Sequence, residues 1–140
     1  MYQIVYTSSA NRDFSAADLN TLLRTARARN KALGVTGTMI FHDGIFLQAL
    51  EGEDRAVNEV FARIRIDPRH GELAMLHRGS GADQRVFGDW PMAFADFTGA
   101  AAFLQGFVRF NAQLKLRDLD SADAVGLLTA CGDEEVLKSA

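Results

Sequence analysis

Val35-Thr36-Gly37-Thr38-Met39-Ile40-Phe41-His42, then Asp43-Gly44, then Ile45-Phe46-Leu47-Gln48-Ala49-Leu50-Glu51 is the stretch on which the fold turns. Both flanking runs are rich in β-branched and aromatic residues, and Asp-Gly between them is the strongest short hairpin signal. Strands 2 and 3 are therefore expected to be adjacent and antiparallel. Working upstream, Gly34 is a plausible helix stop, and Leu19, Leu22, Leu23 and Ala26 recur at helical spacing behind a capping pair, Ser15 and Asp18. This predicts helix 1 from about Ala16 to Lys31. Before it, Tyr2 to Ser8 places Ile4, Tyr6 and Ser8 on one face and Val5 and Thr7 on the other, the period of strand 1.

Downstream, Glu53 or Asp54 can cap a segment in which Val57, Val60, Phe61 and Ile64 form one apolar stripe ending before Pro68, which predicts helix 2. Leu73 to Leu76 and Trp90 to Phe97 are weaker strand candidates around the loop Gly79-Ser80-Gly81-Ala82-Asp83. The order βαββαββ implies an α+β, ferredoxin-like sheet with two helices on one face. Beyond Gly99, Ala101 to Arg117 and Ser121 to Thr129 read as C-terminal helices, the second capped by Asp120 or Ser121. Residues 1–98 are thus expected to form the sheet unit, and 99–140 a helical extension packing on the sheet. Its apolar residues Phe103, Leu104, Phe107, Val108, Phe110, Leu114 and Leu116 would cover the open sheet face or serve self-association.

Composition narrows the class. A chain of 140 residues, 48% apolar and 24% charged, has the size and balance of one globular domain. Fifteen basic against 18 acidic residues, a net charge of −3, provide no global pull toward nucleic acid. The single cysteine, Cys131, cannot close an intramolecular disulfide, and the N-terminus lacks a signal-peptide pattern, so a cytoplasmic location is expected. No window approaches the ~18 consecutive apolar residues of a membrane span.

Three polar residues fall where the patterning expects apolar ones. Asn30 continues the apolar stripe of helix 1, either as an inward-facing amide with a ligand or as a terminal residue satisfying loop carbonyls. Gln48 shares a strand face with Phe46 and Leu50; an amide there is either a reversible donor-acceptor switch or a solvent-facing edge residue. Tyr6 sits in the interior of strand 1, where its ring packs and its hydroxyl needs a partner. Catalytic signatures are scarce. There is no Gly-rich phosphate loop and no nucleophile elbow, and His42, His70 and His77 lack metal-ligand spacing, so no metal site is expected. The basic group Arg63, Arg65, Arg69 and His70 at the end of helix 2 either meets a phosphate or is a solvated helix end favoured by the macrodipole.

Several separated motifs coincide with a known pattern: Ile4-Val5-Tyr6-Thr7-Ser8; Arg29-Asn30 leading into Gly34-Val35-Thr36-Gly37; His42 through Gly52; Asp67-Pro68-Arg69-His70; and Arg85-Val86-Phe87-Gly88-Asp89-Trp90-Pro91-Met92. Over about residues 1 to 98 the chain resembles BLUF domains, blue-light sensors using flavin. The resemblance implies that FAD, with FMN as an alternative, is bound non-covalently. Tyr6 would be the photo-oxidised tyrosine, giving an electron and then a proton to the excited flavin. Gln48 would lie between Tyr6 and the flavin N5/O4 edge and change its tautomer or orientation. Asn30 would bond the ring's carbonyl side. Asp67, Arg69 and His70 would flank the ring's polar edge and ribityl chain, and Arg63 would approach the phosphate. Trp90 and Met92 would occupy strand positions that carry the signal outward. Pro91 departs from many relatives, which have Ser between that Trp and Met; its missing N–H suits an edge strand or a bulge.

The expected function is a photoreceptor without enzymatic turnover, acting in trans on a downstream signalling protein and forming a homo-oligomer, because about forty residues after Gly99 leave no room for an output domain. A flavin-dependent reductase is the alternative from another class; it would need a reductant site, and no nicotinamide fingerprint is present. A third reading is a ferredoxin-like binding module that has lost its flavin, against which the joint presence of Tyr6, Gln48 and Asn30 stands.

Overall fold

The computed structural model describes residues 1–81, 83–96 and 115–132. Strand β1 (Tyr2–Ala10) leads into helix α1 (Ala16–Leu33), the hairpin of β2 (Thr36–His42) and β3 (Ile45–Gly52), helix α2 (Asp54–Arg65), and strands β4 (His70–Ser80) and β5 (Ala93–Asp96). A single 3-10 turn, Leu116–Asp118, precedes helix α3 (Ser121–Gly132). The strands form one sheet in the order β4-β1-β3-β2-β5. The first four are antiparallel neighbours in the expected ferredoxin-like arrangement, and β5 is added to β2 in parallel.

Local chemistry fixes the joints. Asp43 and Gly44 take φ of 53° and 75°, the positive values that a two-residue hairpin turn requires at both central positions. At the start of α1 the Ser15 hydroxyl accepts from the Asp18 amide at 3.1 Å, and the Asp18 carboxylate accepts from the Ser15 amide at 3.0 Å. The helix ends on Gly34 in the left-handed conformation. Glu53 is the N-cap of α2 but makes no side-chain cap bond, whereas Asp120 caps α3 by accepting from the Asp123 amide at 2.8 Å.

Alternation along the strands sends residues to two cores. Ile4, Tyr6, Met39, Phe46 and Leu50 pack with Leu19 and Leu23 of α1 and Val57, Val60, Phe61 and Ile64 of α2. Val5, Ile40, Leu47 and Ala49 pack on the opposite face with Leu116 and with Ala124, Leu127, Leu128 and Cys131 of α3. Two helices thus cover one face as expected, and the described part of the C-terminal segment covers the other. The rest of the expected helix from Ala101, with Phe103, Leu104, Phe107, Val108, Phe110 and Leu114, lies outside the described residues, and its end at Leu116–Asp118 is a 3-10 turn rather than α-helix.

Two sequence expectations need correction. Strand β4 runs from His70 to Ser80 rather than Leu73 to Leu76, because its backbone pairs with β1 from Tyr2 to Ala10 regardless of its exposed polar side chains. The last strand starts at Ala93, so Trp90 and Met92 precede it instead of lying within it. The carbonyls of Trp90 and Pro91 are drawn to the Gly37 amide at 3.1 Å and the Asn30 side chain at 2.6 Å, which bends the chain before β5 can join β2.

The segment before that bend is anchored at its other end. Glu51 is fully buried and accepts from the Val86 and Phe87 amides, both at 2.9 Å, and from Gln3 Nε2 at 2.9 Å. Arg85 donates to the Thr36 hydroxyl and to the carbonyls of Glu51 and Gly34, at 2.6 to 3.0 Å.

Candidate functional site

A cleft partly open to solvent lies between the sheet and the two helices that cover it. Phe14, Leu22, Ala26, Met39, Phe46 and Ile64 provide apolar walls, and Tyr6, Ser8, Gln48, Arg29, Asp67, Arg69 and His70 provide polar groups along it. Apolar walls with polar groups at the margins suit a planar heterocycle whose heteroatoms lie on its edge.

Tyr6 and Gln48 are placed by register: they are directly paired across β1 and β3, and alternation turns both toward the helices. The Tyr6 ring stands edge-on to Phe61 with centroids 5.5 Å apart, and its hydroxyl donates to Gln48 Oε1. Gln48 Nε2 points the other way and donates to Met92 Sδ at 3.8 Å. A thioether is a weak acceptor, so the donor end of this amide is short of a strong partner. Burial pushes the Tyr6 phenol well above its ordinary range, with Arg29 drawing it down and Asp67 pushing it up to lesser degrees.

Asn30 is fully buried on the last turns of α1, as its place in the apolar stripe implied. It donates to the Pro91 carbonyl and its Oδ1 accepts from Arg29 Nε at 3.3 Å; Arg29, rather than Asn30, is the residue that lines the cleft. Desolvation lowers the Arg29 pKa, the mark of a cation held partly out of water. Sequence reasoning assigned Arg29 no role, since a charged residue near a helix C-terminus is ordinarily solvated.

The turn after α2 brings Asp67, Arg69 and His70 to the cleft together. Arg69 donates to both carboxylate oxygens of Asp67, and the Arg69 amide adds a bond at 2.9 Å. These bonds, the side-chain ones foremost, hold Asp67 below the usual carboxylate range despite its burial. His70 Nε2 lies 2.6 Å from the Ile64 carbonyl, which assigns the proton to that nitrogen. Arg63 is exposed on the last turn of α2 and is not among the lining side chains.

Met92 is fully buried in the core beneath the helices, while Trp90 is 36% exposed. Arg27 Nε donates to the Met92 carbonyl at 2.9 Å, so α1 holds Met92 by its backbone while Gln48 meets its side chain.

A model of the BLUF family, described as sensors of blue-light using FAD, matches residues 1–93. The chain belongs to the BLUF family. It is similar to photoactivated adenylate cyclase subunit beta of Euglena longa, 34% identical over 100 residues that make up 71% of this chain and 12% of that protein. The corresponding subunit of Euglena gracilis is 35% identical over 100 residues, with the same shares. This BLUF chain therefore spans a small fraction of the length of those relatives. Among solved structures, the dark state of the BLUF protein BlrB is 27% identical, with a TM-score of 0.73 over 92% of this chain and 95% of that one. BlsA in its photo-activated state has a TM-score of 0.81 over 96% of both chains at 24% identity, a likeness of fold.

The chain is accordingly a blue-light-sensing domain of flavin type, FAD being the family's flavin. The cleft fits that group on its own evidence: apolar walls, a cationic Arg29, an amide with an underused donor end, and a buried Ser8 hydroxyl with no partner among the described residues. Among the described residues no helix is long and apolar enough to cross a membrane.

Proposed function

We propose that Tyr6 and Gln48 form the photochemical switch of this BLUF domain, and that its output is a change in the loop ending at Met92, read in trans by a partner protein without turnover of a substrate. The observation that carries the proposal is the buried chain Tyr6 to Gln48 to Met92, in which one amide joins the phenol on one side to the loop on the other.

FAD, when bound, supplies the blue-light absorption and an excited state able to accept an electron. Tyr6 would give that electron and then its phenolic proton to the flavin, and both would return to Tyr6 by recombination, so nothing is consumed and only the changed amide outlasts the light. A neutral phenol with a strongly raised pKa keeps its proton until it is oxidised. Loss of that proton leaves Tyr6 unable to donate to Gln48 Oε1, and the amide then gains by rotating or changing tautomer. Either change alters the bond to Met92. Asp67, Arg69 and His70 would orient the ring and its ribityl chain directly, Asn30 would act on the ring's carbonyl side through the Arg29 that it holds, and Arg63, exposed on the last turn of α2, would meet a phosphate outside the cleft.

The loop from Arg85 to Met92 is suited to pass the change on. Its far end is held by Asn30, Gln48 and Arg27 in the flavin-side core, and its near end by Glu51 and Arg85. Phe87, in between, is buried in the opposite core with α3. Movement at Met92 is therefore transmitted through Phe87 toward α3, and Trp90, half out of the surface, reports it to solvent or to a partner. A signalling partner, and a second copy of the chain, are the proposed readers.

Gln48→Leu is the test. The variant is expected to retain flavin and to lose the light-induced movement of the flavin bands; a normal photocycle in Gln48→Leu overturns the switch assignment.

A further inference from the structure

Thr7, Ser8 and Ser9 are three consecutive hydroxyl residues on β1, and alternation divides them between the faces of the sheet. Thr7 and Ser9 accept from Arg117 at 3.2 and 2.6 Å on the α3 side. Ser8 faces the cleft with Tyr6, is 1% exposed, and among the described residues its Oγ has no hydrogen-bond partner. Apolar patterning would place Ala or Val here, because a buried hydroxyl without a partner is destabilising.

Among the described residues none accepts from it, and the cleft's carboxylate, Asp67, is bound by Arg69. Ser8 pairs with Phe46 across the ladder, and Phe14, Leu22 and Ile64 line the same cleft. Of the other hydroxyls lining the cleft, that of Thr25 donates to the Thr21 carbonyl at 3.1 Å and that of Tyr6 to Gln48 Oε1. Two residues along a strand advance the side chain by roughly 7 Å, so Ser8 lies one ring-width along the cleft floor from the Tyr6–Gln48 pair.

We propose that Ser8 is a further flavin ligand, its hydroxyl donating to an acceptor heteroatom of the isoalloxazine and ribityl part of the bound molecule. The inference rests on the reading of this cleft as the flavin site. It makes Ser8 a residue that fixes how far the ring sits from Tyr6 and Gln48, a role none of the other cleft residues on β1 can share.

The experiment measures dissociation constants of riboflavin, FMN and FAD, and the dark absorption maximum of the bound flavin, for the full chain and for Ser8→Ala and Ser8→Cys. Each variant is expected to bind all three flavins about fivefold more weakly, the effect of one net hydrogen bond, with a displaced dark band and an unchanged far-ultraviolet spectrum. Cys has nearly the same shape and is a poor donor, so an equal loss in Ser8→Cys attributes the effect to the hydrogen bond rather than to packing. Unchanged affinities in both variants, or a loss confined to FAD, overturn the assignment. If the unaltered chain binds no flavin, the reading of the cleft fails; if it binds and the variants bind equally well, the Ser8 assignment alone fails.

Discussion

The Tyr6 hydroxyl and the Gln48 side-chain oxygen are joined by a hydrogen bond inside the core, between residues directly paired on neighbouring strands. Neither side chain can move without the other losing its partner. Tyr6→Phe keeps the ring that packs on Phe61 and deletes the hydroxyl, so flavin binding should persist while the normal photocycle is lost. Transient absorption after a blue pulse checks this, and a normal photocycle in the variant would assign the electron to another donor.

Burial of the phenol has a consequence in alkaline solution. The ordinary tyrosine pKa is about 10, and that of Tyr6 is raised in the folded protein. A group whose folded pKa lies above its unfolded value contributes stability that is complete below the unfolded pKa and is lost as pH rises toward the folded one. Tyr6 should therefore remain un-ionised in the native protein through pH 10, with stability falling above it. Ultraviolet titration of wild type against Tyr6→Phe measures this; an extra phenolate in the wild type, appearing near pH 10 with the fold intact, would contradict it.

Removal of the Arg69 side chain releases Asp67. In Arg69→Ala the Asp67 pKa should rise toward the usual carboxylate value, and flavin should bind more weakly by about tenfold or more, the scale of a charge-assisted hydrogen bond. Because the folded pKa of Asp67 is depressed, its contribution to stability is present above about pH 4 and lost as pH falls through the folded value. Acid unfolding of the variant should lack that component. Equal flavin affinity in wild type and variant would remove Arg69 from the site.

Glu51→Leu tests the anchor at the other end of the loop. The substitution leaves the Val86 and Phe87 amides and the Gln3 side chain without their buried acceptor. At about 1–3 kcal/mol for an unsatisfied buried group, unfolding free energy should fall by roughly 3 kcal/mol or more, read from the urea midpoint. A change below about 1 kcal/mol would show that the loop finds other partners.

Much of the architecture was legible because local signals agreed with one another. Asp43-Gly44, the Ser15–Asp18 capping box and the Val57, Val60, Phe61, Ile64 stripe each specify one local structure, and the alternation in β1 and β3 assigns the faces. Tyr6, Asn30 and Gln48 stood out as polar residues at apolar positions, and all three are buried beside or within the cleft. What escaped the sequence depends on long-range pairing. Strand β4 is specified by its ladder with β1 rather than by its own edge-exposed side chains, and β5 starts late because Asn30 and Gly37 hold the preceding carbonyls. Ser8 and Glu51 carried the same signal as Gln48, a polar side chain in register with buried ones. Arg29 carried none.

The most direct test of the account is the visible absorption spectrum of the purified protein in darkness, immediately after blue light, and during recovery. The expected result is an oxidised flavin whose bands move to longer wavelength on illumination and return thermally in the dark. A bound flavin whose bands stay in place or simply bleach would contradict the switch built from Tyr6 and Gln48, and steady oxidation of NADPH by that protein in darkness would favour a reductase in its place.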